Sequence, residues 1–138
     1  MFESEGYIVY DPSRERYKKS KLWRCIVKTD FDLPRYYRQF ITKHTGYILN
    51  APSWGSHITV VNGEKPINIE NWNKYNNKKI QFTYDPNVRY SGDTFKHKYI
   101  GKYWFLAVYS DVLNEIREDL GLIKKINSKF HLTVGTLY

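Results

Sequence analysis

A chain of 138 residues can bury a hydrophobic core without staples, and a single domain over residues 1–138 is expected. Its one cysteine, Cys25, excludes an internal disulfide and a cysteine-built zinc or iron–sulfur centre, which suits a reducing, cytoplasmic setting. The 22 Lys and Arg residues against 14 Asp and Glu give a net charge of +8, a balance that favours polyanionic partners such as nucleotides or RNA.

The chain opens on Met1-Phe2-Glu3-Ser4-Glu5, with neither the basic nor the apolar region of a signal peptide, and no stretch has the length of a membrane span. A soluble, untargeted protein with no membrane partner is expected. A polar, turn-rich segment around Asp11-Pro12-Ser13 leads into a strand over 22–28. Asp32-Leu33-Pro34 then reads as an N-cap with an early proline, and the apolar positions Tyr37, Phe40 and Ile41 predict a helix that Gly46 ends. The next run, Ser56-His57-Ile58-Thr59-Val60-Val61, predicts a strand in which His57 and Thr59 share one face and Ile58 takes the other.

Gly63-Glu64-Lys65-Pro66 reads as a turn, 70–75 as a short helix, 79–84 as an alternating strand and 88–90 as another short strand. The apolar run 103–109 predicts a strand, followed by Ser110 or Asp111 as an N-cap and a helix through Leu113, Ile116 and Leu120 that Gly121 closes. Phe130-His131-Leu132-Thr133-Val134 predicts the last strand. Strand, helix, strand thus occurs twice, and each repeat ends on a His-x-Thr strand.

Each motif offers a proton-transfer group beside a hydroxyl. Two such strands lining one cleft supply what metal-free phosphodiester chemistry needs: one neutral imidazole removes a proton from the attacking oxygen and one imidazolium protonates the leaving oxygen. Thr59 and Thr133 then hydrogen-bond the non-bridging oxygens. No cofactor is called for. Such a site suits strained cyclic phosphates, or RNA-type diesters attacked by a neighbouring ribose hydroxyl at high effective molarity. The bland alternative is that both motifs are half-buried strand residues, each His hydrogen-bonded in the core and each Thr at a position it favours in strands.

The chain's 13 Tyr and 4 Trp include several interleaved with cations, as in Arg35-Tyr36-Tyr37-Arg38, Lys96-His97-Lys98-Tyr99 and Lys102-Tyr103-Trp104. Bases stack on such rings while cations hold phosphates. Trp54, Lys102, Tyr103, Tyr7, Trp23 and Arg24 are the candidate substrate-binding residues. His44 reads as a helix-end cap, and His97 lacks a Thr two residues on.

The paired patterns His57-Ile58-Thr59-Val60 and His131-Leu132-Thr133-Val134 in a small basic chain resemble the 2H phosphoesterase superfamily. Ser56 departs from the bulkier apolar residue usual before the first histidine. The resemblance implies an α+β, bilobal fold: two pseudo-symmetric β-α-β lobes with antiparallel sheets around a central cleft. It also implies His57 and His131 as the acid–base pair, Thr59 and Thr133 as phosphate ligands, and a small ribonucleotide or RNA-end substrate with no obligate protein partner. The stretch 54–66 is most similar to phage-encoded members that cleave cyclic oligonucleotide immune signals, which implies action in the cytoplasm of a bacterial host. A rival of another class is a non-catalytic RNA- or nucleotide-binding module using the same basic, aromatic surface.

Overall fold

The computed structural model describes residues 1–12, 22–52, 55–91, 102–125 and 130–137. Among the described residues seven strands and two helices follow in the order β1 (Phe2–Tyr10), β2 (Arg24–Thr29), α1 (Asp32–Thr45), β3 (His57–Asn62), β4 (Lys79–Tyr84), β5 (Arg89–Ser91), β6 (Lys102–Tyr109), α2 (Asp111–Asp119) and β7 (Phe130–Leu137). A single 3-10 turn, Ile69–Asn71, stands where the sequence predicts a helix over 70–75; the asparagines at 73, 76 and 77 favour turns over a continued helix.

Helix α1 starts one residue earlier than its sequence signal. Phe31 occupies the cap position, and Asp32 lies in the first turn, where its carboxylate bonds Arg35 at 2.8 Å. Pro34, Tyr37 and Ile41 form its buried stripe, and Gly46 ends it in the left-handed region with its N–H on the Thr42 carbonyl. Helix α2 buries Leu113, Ile116 and Arg117, followed by Leu120. Gly121, at φ 77, closes that helix where a Cβ would come within 2.9 Å of Ile67.

Strand β1 has no counterpart in the sequence reading. Its polar residues Glu3, Ser4 and Glu5 obscure a strand held on both sides, by β2 through Tyr10↔Cys25 to Gly6↔Thr29 and by β4 through Phe2↔Tyr84 to Tyr7↔Lys79. All pairings are antiparallel, in the order β4-β1-β2-β3-β7-β6-β5. Strand β4 also pairs with β6 through Thr83↔Tyr109 and Tyr84↔Val108, closing six strands into a barrel. One sheet therefore runs through both strand-helix-strand repeats, where the sequence reading assigns a sheet to each.

The core follows from the register. Ile8, Val27, Ile58, Leu132 and Leu106 are successive cross-strand partners on β1, β2, β3, β7 and β6, and all five are fully buried. They share one apolar cluster with Tyr37 and Ile41 of α1 and with Leu113, Ile116 and Leu120 near α2. Among the described residues no helix is long and apolar enough to cross a membrane.

Candidate active site

The centre of the sheet is the pairing of β3 with β7, whose register places Ile58 opposite Leu132. Antiparallel geometry then sets His57 against Thr133 and Thr59 against His131, all four on the face opposite the buried Ile58 and Leu132. Each histidine thus faces the other motif's threonine. The two histidines are diagonal neighbours, a relation that separates backbones by about 7–8 Å. His131 is exposed, and His57, Thr59 and Thr133 are half-buried.

Local chemistry fixes His57. Gly55, at φ 74, turns the chain into β3, and its carbonyl lies 2.8 Å from His57 Nδ1. A carbonyl only accepts, so Nδ1 carries a proton and the neutral ring has its lone pair on Nε2. The preceding Ser56 is buried; its hydroxyl hydrogen-bonds that of Thr29, and its carbonyl accepts from the Thr29 N–H at 3.0 Å. Gly6, Thr29 and Ser56 stand in one cross-strand row of small residues. A Cβ at Gly6 would approach the Lys28 carbonyl to 2.7 Å, so the small set keeps β1 and β2 close. Ser56 is thereby accounted for: it ties the start of the first motif to the end of β2.

The register also shows what flanks the histidines. His57 pairs with Lys28, and Lys28 with Tyr7, so the row Tyr7, Lys28, His57, Thr133, Phe105 crosses five strands on the motif face. Tyr7 and Lys28 are exposed. On the other side the Phe105 ring meets His131 edge-on at 5.5 Å between centroids, and Tyr103 continues that aromatic strip 5.6 Å from Phe105. Lys28 and Phe105 are absent from the sequence-predicted set. Lys28 had a signal, as the one cation on the solvent side of an otherwise apolar strand end; Phe105 had none, because it looks like a core residue of an apolar run.

The remaining candidates are dispersed. Lys102 emerges on the strand face opposite Tyr103, with its ammonium 5.7 Å from the Tyr47 ring centre. Trp23 and Arg24 lie at the far end of β2, where Arg24 pairs with Asn62 rather than with the start of β3. Trp23 packs edge-on against Trp72 at 5.2 Å. Trp54 lies outside the described residues.

Residues 34–137 match the family model described as Swiss Army Knife, 2H phosphoesterase domain. No curated protein and no solved structure matches the chain.

Proposed function

The chain belongs to the 2H phosphoesterase superfamily, and from that premise we propose that it is a metal-independent phosphodiesterase with His57 and His131 as its acid–base pair. One neutral imidazole takes the proton of the attacking oxygen as that oxygen bonds to phosphorus. The other, as imidazolium, protonates the leaving oxygen as its bond to phosphorus breaks. The hydroxyls of Thr59 and Thr133 donate to the non-bridging oxygens. Attack by a ribose 2′-hydroxyl leaves a 2′,3′-cyclic phosphate; attack by water leaves a linear monoester. The observation that carries this reading is the Ile58–Leu132 register, which sets each histidine opposite the other motif's threonine.

The surroundings support a small ribonucleotide as substrate: a cyclic oligonucleotide signal, a 2′-5′ linkage or a 2′,3′-cyclic phosphate. In this reading a base stacks on the Phe105–Tyr103 strip beside His131, and a neighbouring phosphate meets Lys28 beside His57. The units β2-α1-β3 and β6-α2-β7 are then two lobes related by an approximate two-fold between β3 and β7. The similarity of 54–66 to phage-encoded members puts cyclic oligonucleotide immune signals, and with them phage immune evasion, first among the substrates to try.

The test is incubation with EDTA and a panel of cyclic di- and trinucleotides, 2′-5′ oligonucleotides and 2′,3′-cyclic mononucleotides, with products identified by mass. Turnover that persists in chelator and disappears in His57→Ala and His131→Ala is expected. Binding without turnover across the panel, equally strong in the wild type and both alanine variants, would identify a binding module instead.

A further inference from the structure

Both motif strands carry a β-bulge at the same place. On β3 the register with β2 passes from Thr59↔Ile26 to Val61↔Cys25, leaving Val60 as the extra residue. On β7 the register with β6 passes from Thr133↔Phe105 to Gly135↔Trp104, leaving Val134 as the extra residue. Each bulge thus falls immediately after the threonine of a His-x-Thr motif. A bulged residue drops out of the ladder, and the strand bends and twists there, re-aiming the side chains beside it.

Each bulge carbonyl accepts a hydrogen bond from an arginine, and the arginines are crossed. Arg38, on the helix of the first repeat, donates from Nη1 to the Val134 carbonyl of the second at 2.9 Å. Arg117, on the helix of the second repeat, donates from Nη1 to the Val60 carbonyl of the first at 2.8 Å. Each arginine is held in turn. Gly135 leaves room for the Arg38 stem, since a Cβ there would lie 3.2 Å from Arg38 Cδ. Arg117 is 3% exposed, forms a two-bonded pair with Glu64 at 2.9 and 2.8 Å, and donates from Nε to the Ile123 carbonyl at 2.7 Å.

We propose that Arg38 and Arg117 are positioning residues, each locking the bulge that aims the His-x-Thr pair of the opposite repeat. The proposal rests on the two-histidine reading for its effect on turnover, but not for its effect on geometry. Neither arginine reaches the motif side chains: both act through a backbone carbonyl one residue beyond the threonine.

The test uses Arg38→Met, which keeps an unbranched stem without donors, and Arg117→Lys, which keeps a cation but not the planar fork. Imidazole and amide resonances are recorded without substrate, at a pH where both rings are neutral. In Arg38→Met the His131 ring and the amides of 133–135 are expected to move while His57 stays; in Arg117→Lys the His57 ring and the amides of 59–61 move while His131 stays. With a substrate from the panel, kcat falls about tenfold or more and KM changes less than about twofold, because groups touching substrate remain. Folded variants whose motif resonances do not move, or move in the arginine's own repeat, overturn the proposal. If Arg117→Lys does not fold, Arg38→Met decides alone. A panel without turnover removes the two-histidine reading and leaves the resonance result standing.

Discussion

In the proposed reaction His57 and His131 each supply one proton-transfer group, so neither would substitute for the other. His57→Ala or His131→Ala is expected to lower kcat by about 10²–10⁴-fold, and Thr59→Ala or Thr133→Ala by about 10²-fold, in steady-state turnover. Phe105 and Lys28 belong to a different class because they flank the two histidines rather than supply the proposed proton transfers. Phe105→Ala is expected to cost about 1–3 kcal/mol of substrate binding, read as a raised KM for substrates bearing a base. Lys28→Ala should raise KM only for substrates with a second phosphate, and a 2′,3′-cyclic mononucleotide should not distinguish it from the wild type. Equal losses on both substrate types would remove Lys28 from the binding surface. That both His-x-Thr motifs lie on strands was legible because a short pattern recurred in two matched apolar runs. The neighbourhood of Phe105 was not, since its place beside the histidines is created by cross-strand register between distant segments; Lys28 had a local signal, but its pairing with His57 comes from the same kind of register.

The two helices do more than cover the sheet, and the Arg117–Glu64 pair shows it. The Arg117 guanidinium bonded to Glu64 holds that carboxyl below the ordinary glutamate range. A lowered folded value means that the pair's contribution is present above the unfolded pKa and is lost as pH falls through the folded one. Urea midpoints followed from about pH 6 down to about pH 2 should therefore fall in the wild type, and less steeply in Glu64→Gln. Arg117→Ala removes four hydrogen bonds and is expected to cost about 3 kcal/mol or more at neutral pH, since it strands partners around a buried position. Helix positions were largely readable: Gly46 and Gly121 stop them and their apolar stripes follow the helical period. Strand β1 was not, because its first half carries the polar residues Glu3, Ser4 and Glu5, and only the pairing with β2 and β4 makes that half a strand.

At the scale of the molecule the pairing of β4 with β6 joins the first strand of the sheet to its next-to-last, so the two repeats share one hydrogen-bonded ladder and one core. Chemical unfolding followed by far-ultraviolet dichroism and by tryptophan fluorescence should give a single coincident transition. Two separated transitions would mean that the repeats fold independently. The closure was not foreseeable from the chain, since no local pattern marks the pairing of Thr83 and Tyr84 with Tyr109 and Val108. The apolar pair at the middle of this ladder has a further consequence. A slip of one residue between β3 and β7 would turn one of the two strands over, driving its imidazole and its hydroxyl into the oily interior while stranding Ile58 or Leu132 in water. Misregistered chains are therefore penalised by the polar side chains themselves. Ile58 and Leu132, on the face away from the motif side chains, act as the proofreading step for their placement.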